Sequence, residues 1–367
     1  MRNGFEQMAH RASIPEAVRR GRGARSNRSG RFEAEVREAF DDGWTTIEEH
    51  TPISTIVQAD SARSIITTND SPDISFDQSI NPYRGCEHGC SYCYARPTHA
   101  YLGHSPGIDF ETKLYFKPNA AELLRKELSH PRYRAKTIAL GTNTDPYQPI
   151  ERQYLLTRKI LTIMLETSHP VGIVTKSALI LRDLDLLQQL AASNLVKVAL
   201  SITTLDNATS RKMEPRASAP HRRLVAVQAL AAAGIPTQVM VAPVIPGLND
   251  HEIEQILEAS AAAGAQAAGY VMLRLPLELK DLFREWLATE FPDRAKRVIA
   301  LLQSMHGGID YRAQFGIRQR GSGPYADQIA LRFRHALRRL GLNRNHVELD
   351  HTRFTPPSAA GQQLSLL

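Results

Sequence analysis

Asn81-Pro-Tyr-Arg-Gly-Cys86-Glu-His-Gly-Cys90-Ser-Tyr-Cys93-Tyr-Ala-Arg96-Pro97 is the stretch on which the reading of this chain turns, because it contains all three cysteines of the 367 residues. A C-x3-C-x2-C spacing lets one loop turn three sulfurs inward, towards three corners of an iron–sulfur cubane. Gly85 and Gly89 supply the backbone freedom that so tight a wrap needs. The fourth iron is then left without a protein ligand. The competing reading is a structural Cys3His zinc site completed by His88, His99 or His104. A secreted disulfide framework would spread an even number of cysteines along the chain, so it does not fit.

Downstream of this loop the sequence alternates between short apolar runs and helical periodicity. Runs at 137–141, 171–175, 195–202, 237–242 and 268–273 read as strands. Between them, 154–167, 183–192, 221–233 and 250–263 read as helices, the last with Asp250 as N-cap and Gly264 as its stop. With one more strand ahead of the cysteines this makes about six βα units. Such alternation implies right-handed crossovers and a parallel sheet. The expected fold is α/β: a partial (β/α)6 TIM-like barrel with a basic N-terminal arm and a helical C-terminal extension. An open doubly wound sheet has the same periodicity. Residues 1–55 are expected to be the flexible arm, 56–276 the barrel core, 277–355 the extension and 356–367 a flexible tail. Residues 32–49 read as a short amphipathic helix within the arm.

With Tyr92 just before its last cysteine, the loop resembles the signature of the radical S-adenosylmethionine (SAM) superfamily. Its flanks, Asn-Pro-Tyr-Arg-Gly and Tyr-Ala-Arg-Pro, are similar to the branch that contains spore photoproduct lyase. The resemblance spans roughly residues 79–275. It implies a [4Fe–4S] cluster on Cys86, Cys90 and Cys93, and SAM chelated at the open iron. It further implies reductive cleavage to a 5′-deoxyadenosyl radical, with the electron supplied by a donor such as flavodoxin or ferredoxin. By position, Tyr92 inherits a place near the adenine.

In both α/β architectures ligands bind at the carboxyl ends of the strands. After the second strand, many relatives carry a Gly-Gly-Glu-like turn for the SAM amine. Here Thr142, Asn143, Thr144 and Asp145 stand instead, and all can accept from an ammonium group. Lys176-Ser177 after the third strand is a candidate for a carboxylate or phosphate. Ser201 and Thr203 end the fourth, where the family contacts ribose or carboxylate. Arg216 is a candidate for the SAM carboxylate, and Glu214 for its ribose or for holding Arg216. The turn at 243–250, with Asn249 and Asp250, resembles the one that lies against adenine. Arg274 follows the sixth strand.

No thiol remains outside the loop to donate a hydrogen atom, which sets the chain apart from spore photoproduct lyase. Tyr147 and Tyr270 are candidates to replace it. The net charge is +7, with Arg19, Arg20, Arg22, Arg25, Arg28 and Arg31 crowded at the front and Arg332, Arg334, His335, Arg338 and Arg339 near the end. Both clusters fit a phosphate backbone, DNA or RNA. The tail Gln363-Leu-Ser-Leu-Leu367 resembles the peptide with which bacterial repair proteins dock on the sliding clamp. With no long apolar run and no leader-like start, the cytoplasm is the expected compartment. The reading is a radical SAM enzyme acting on nucleic acid, for repair or modification. The alternatives are a radical SAM enzyme acting on protein or a small molecule, and a non-enzymatic zinc protein that binds nucleic acid.

Overall fold

The structure is a computed structural model that describes residues 19, 21–33, 53–345 and 347–357. Ten strands form two sheets among these residues. β1 (Ile56–Ala59), β4 (Tyr83–Arg84) and β5 (Lys113–Phe116) make a small sheet. The main sheet runs in the order β10-β9-β8-β7-β6-β3-β2. Its members are β2 (Ile66–Thr68), β3 (Gln78–Ile80), β6 (Ile138–Leu140), β7 (Val171–Thr175), β8 (Val196–Ser201), β9 (Thr237–Val244) and β10 (Ala267–Met272). In this sheet β2 is antiparallel to β3, and every other neighbouring pair is parallel. Six parallel strands joined by helices are the expected partial barrel, and the sheet does not close.

Strand composition explains the sheet. β7 and β8 are rich in Val, Ile and Leu with both faces covered, as buried parallel strands require. Helices Leu156–Glu166, Leu184–Ala192, Pro220–Ala232 and Ile253–Ala262 carry the crossovers. Their apolar stripes, such as Ile160, Ile163 and Met164, pack on the sheet with at most 1% of their surface exposed. Asp250 does not cap its helix. A short 3₁₀ turn, Asp250–Glu252, precedes Ile253, and the Asp250 carboxylate accepts from the Gly247 amide at 2.9 Å.

The C-terminal extension is helical, with Leu279–Glu290, Pro292–Met305 and Pro324–Leu340. The basic Gly-rich stretch before its last helix bridges the two margins of the open sheet. The Gln319 carbonyl accepts from the Met272 amide at 2.8 Å, and Arg318 grips the Asp73 carboxylate in the β2–β3 loop.

The polar stretch ahead of the cysteines carries β1 and β2, which the sequence pattern does not announce. A larger correction concerns the front of the chain. Residues 21–33, expected within a mobile arm, pack on the body of the protein. Two of their arginines meet acidic partners, Arg25 with Glu290 and Arg31 with Glu278, so that charge is neutralised internally. The helix expected over 32–49 and the tail 363–367 fall almost wholly outside the described residues.

Gly141, at the carboxyl end of β6, shows how tightly neighbouring strand ends approach one another. Its φ is +88°, and a Cβ there would stand 2.0 Å from the Val174 carbonyl oxygen. Gly141→Ala is therefore expected to lower the free energy of unfolding by about 1–3 kcal/mol. Denaturant titration checks this, and a midpoint equal to wild type would contradict it.

Candidate radical SAM centre

The cysteine loop leaves the carboxyl end of β3 through β4 and returns through the short helix Asp109–Thr112 to β5. β5 then pairs antiparallel with β4, so the excursion closes on itself. The Cys86 amide donates to the Phe110 carbonyl at 2.9 Å. Gly85 and Gly89 adopt positive φ, +72° and +66°. Side chains at either would collide with Leu114 and Phe110, or with Glu111.

Buried polar groups hold the loop from behind. Gln148 accepts from the Glu87 amide at 2.9 Å and donates to the Gly85 carbonyl at 3.2 Å. Arg96, fully buried, donates to the Cys90 carbonyl at 2.9 Å, to the Gly107 carbonyl at 2.9 Å and to the Glu111 carboxylate. Glu111 is buried as deeply.

All three cysteines are free thiols. Burial raises each of them, most strongly Cys86 and Cys90. The negative charge of Asp145 and of the other two cysteines adds to this at Cys86, and that of Glu214 and Cys93 at Cys90. Thiolates here need a positively charged partner, and a set of three soft sulfur donors suits iron. Among the described residues no three His, Cys, Asp or Glu side chains converge where a single ion would sit. A cubane makes no such demand, because each thiolate takes its own iron. Of the histidines that a zinc site would use, two are turned to polar partners and the third is packed on an aromatic ring with its Nε2 unpartnered among the described residues. His88 Nδ1 is 3.4 Å from Asp145, His104 meets the Tyr115 hydroxyl at 2.6 Å, and His99 packs on Phe110.

Around this loop the strand ends gather most of the expected residues. Tyr92 is buried, and its hydroxyl donates to the Glu214 carboxylate and lies 3.3 Å from the Thr203 hydroxyl. Glu214 does not hold Arg216. Its partner is Arg223, equally buried, which also donates to the Ser201 carbonyl at 2.9 Å. Burial opposes the charge of Glu214, but Arg223, Lys176 and the Thr203 hydroxyl outweigh it and hold the carboxyl at about 2. Arg216 pairs with Glu87 of the loop at 2.7 Å, and its amide donates to the His88 carbonyl at 3.2 Å.

Asp145 is saturated. It accepts from the Thr175 hydroxyl at 2.7 Å and from the amides of Lys176 and Tyr147 at 2.8 and 2.9 Å. Burial works against its charge, yet His88 and these donors bring its carboxyl down to about 2. Thr142 and Asn143 lie over Asn81, whose carboxamide donates to the Thr142 hydroxyl at 3.3 Å and accepts from the Asn143 amide at 3.0 Å. The Asn143 carboxamide and the Ser201 hydroxyl have no hydrogen-bond partner among the described residues. Asn249 is spent on the backbone, donating to the carbonyls of Thr203 and Pro243 and accepting from Ile245.

Lys176 stands over the Tyr92 ring, its ammonium 5.8 Å from the centroid, in the electrostatic reach of Cys90, Cys93 and Glu214. Tyr147 is fully buried beside Arg182, and Tyr270 is wedged between Phe333 and Arg320, so neither faces the loop. Tyr94 does. Adjacent to Cys93, it is 41% exposed, donates to the Thr142 carbonyl and lies under the Arg274 guanidinium, 4.6 Å from its ring centroid. Burial of its hydroxyl raises it to about 12.

Comparison with known proteins agrees with this geometry. Residues 80–259 match the family model of the radical SAM superfamily. An uncharacterised protein of Mycobacterium tuberculosis is 42% identical over 226 residues, which take in 61% of this chain and 66% of that protein. A phage enzyme, the radical SAM Nα-GlyT isomerase of Pseudomonas phage M6, is 30% identical over 197 residues, 52% of this chain and 38% of that one. Spore photoproduct lyase complexed with dinucleoside spore photoproduct has a similar fold, with TM-score 0.57 and 16% identity over 77% of this chain and 79% of that chain. Residues 80–259 are thus a radical SAM superfamily domain, and the chain spans about two thirds of the length of its mycobacterial relative. Membership implies a [4Fe–4S] cluster and SAM as its cofactors, and the three thiols fit the first of these.

The Glu214–Arg223 pair gives a test with a definite sign. A carboxyl held at about 2 in the folded protein and at about 4.3 when unfolded stabilises the fold above the higher value, and loses that contribution as pH falls towards the lower. Glu214→Gln is expected to cost about 3–5 kcal/mol at neutral pH, because Arg223 is left buried and unpaired. It should also flatten the loss of stability below about pH 4.5. Equal acid sensitivity of the two proteins would contradict this assignment.

Proposed function

We propose that this chain is a radical SAM enzyme whose substrate is a nucleic acid. When bound, the cluster and SAM supply reductive cleavage of the sulfonium and a 5′-deoxyadenosyl radical. An external one-electron donor of the flavodoxin or ferredoxin kind completes the system.

The chain's own residues orient and enclose. Cys86, Cys90 and Cys93 hold three irons. Lys176 offers its ammonium to the SAM carboxylate, while Arg216 is committed to Glu87. Asn143, with Thr142 beside it and Asp145 as its strut, offers acceptor oxygens to the SAM amine. Ser201 presents a hydroxyl at the end of β8. Tyr92, pinned through its hydroxyl by Glu214, lines the adenine side.

For the substrate, the observation that carries the reading is the Tyr94–Arg274 stack. It sets a guanidinium over a partly exposed aromatic ring next to Cys93, at the carboxyl ends of the strands. Such a plane is a surface on which a splayed base stacks. The likeness of the fold to spore photoproduct lyase with a dinucleoside bound is consistent with it. Part of the basic charge has other duties. On the last helix Arg332 pairs with Glu254 and Arg339 with Glu258, which leaves Arg334 and Arg338 exposed. A sliding-clamp contact through 363–367 remains a proposal drawn from the sequence.

The test is anaerobic turnover with dithionite and SAM. Wild type is expected to release 5′-deoxyadenosine, Cys90→Ala to release none, and Lys176→Met to need several-fold more SAM. With nucleic acid extracted from cells grown on deuterated medium, deuterium should appear in 5′-deoxyadenosine or in SAM. Deuterium delivered by deuterated protein or small-molecule extracts and not by nucleic acid would overturn the substrate assignment. No 5′-deoxyadenosine from a fully loaded cluster would overturn the enzyme.

A further inference from the structure

Residues 21–33 take no part in the chemistry of the centre, yet they are bound more closely to the cysteine loop than an attachment arm requires. The amides of Gly23 and Ala24 donate to the two carboxylate oxygens of Glu111, at 3.0 and 2.8 Å. Arg96, which braces Cys90 from behind, donates to the same carboxylate. One buried side chain therefore joins the segment, the brace and the loop. Glycine is required on both sides of the contact. A Cβ on Gly23 would fall 1.7 Å from the Gly89 carbonyl oxygen, and one on Gly89 would fall 2.6 Å from the Glu111 carboxylate.

Neighbouring residues fasten the segment along its length. Arg22 donates to the carbonyls of Glu111 and Ile53 at 3.0 and 3.1 Å, and to the Thr55 hydroxyl at 2.9 Å. The Asn27 carboxamide exchanges two hydrogen bonds with Asp109, both 2.9 Å. Ser26 reaches across to Glu285 at 2.7 Å, and Arg25 pairs with Glu290, both on helix Leu279–Glu290. That helix buries Leu279, Phe283, Trp286 and Leu287 in the cluster of side chains that holds Cys90 and Tyr92. The segment thus spans the seam between two elements that enclose the cysteine loop.

We propose that residues 22–27 form a strap that seals the outer face of the cysteine loop, with Glu111 as its positioning residue, and that its task is to keep water and oxygen from the cluster. This rests on the assignment of an iron–sulfur cluster to the three cysteines. The fit is steric where the strap crosses Gly89 and electrostatic where Glu111 grips it. A loop free to breathe on that side would expose sulfur and iron to oxidation.

Gly23→Ala tests the strap without altering any residue of the loop, and Glu111→Gln removes the charge that binds it. Wild type and both variants are loaded with iron and sulfide anaerobically. They are then exposed to air while the visible absorbance of the cluster is followed, alongside trypsin cleavage after Arg22 and Arg25 and the melting temperature of the unloaded protein. Gly23→Ala is expected to open the strap to trypsin and bleach several-fold faster, with melting close to wild type. Glu111→Gln should open the strap and bleach faster too, with its melting lowered because Arg96 loses its buried partner, and it serves, at a temperature where it is fully folded, if Gly23→Ala fails to fold. Bleaching within about twofold of wild type while trypsin cuts the strap would overturn the proposal, as would strap arginines that stay protected in both variants. In Gly23→Ala, faster bleaching only in step with lost melting would assign the strap a merely structural role and also overturn it. Failure of wild type to take up a cluster at all would instead sink the reading beneath it.

Discussion

Three cysteines share one turn, and the structure around residues 86–93 is arranged to hold that turn in place. Burial raises their thiols, and neighbouring negative charge adds to this at Cys86 and Cys90. The loop keeps its shape through fixed backbone contacts. Gly85 and Gly89 make the turn, Gln148 ties its start, and Arg96 ties its middle. Gln148 and Arg96 are buried and hydrogen-bonded, which is the condition under which a polar interior rigidifies a fold. A cluster meets a loop whose backbone is already shaped, and that part of the ordering cost has been met in folding.

The parallel sheet contributes position. The ends of β6, β7, β8 and β9 present their turns to the same side as the cysteines, as parallel α/β sheets do. Two charged struts lock these turns together. Asp145 connects the turn after β6 to Thr175 and Lys176 at the end of β7. Glu214 links Tyr92 of the loop to Thr203 and Arg223. Both struts are spent on holding the frame, and the binding surface we propose is Asn143, Ser201 and Lys176 on the same turns.

Much of this is legible in the sequence. Periodicity places β7 and β8 within a residue of where they lie, and the three cysteines with their glycines define the loop. Short strands without a clear pattern are not legible. β1 and β2 lie in a polar stretch and owe their existence to partners elsewhere along the chain, β5 and β3. Arginine is the residue type that sequence misjudges most often. Composition makes the 19–31 cluster a solvated arm, but Arg25 and Arg31 find their carboxylates only in three dimensions. Arg223 leaves a trace that spacing could reveal, since it falls in phase with buried Ala226, Val227 and Leu230 on its helix. Glu111 leaves none, because nothing local marks a carboxylate whose partners sit near residues 23 and 96.

The central claim is that Cys86, Cys90 and Cys93 hold a four-iron cluster with one iron left for SAM. Mössbauer spectroscopy of the reconstituted protein, enriched in iron-57, tests it most directly. The account predicts one iron distinguishable from the other three, and a change in that iron alone when SAM is added. Four irons indifferent to SAM, or a protein that takes up zinc and no cluster, would contradict it.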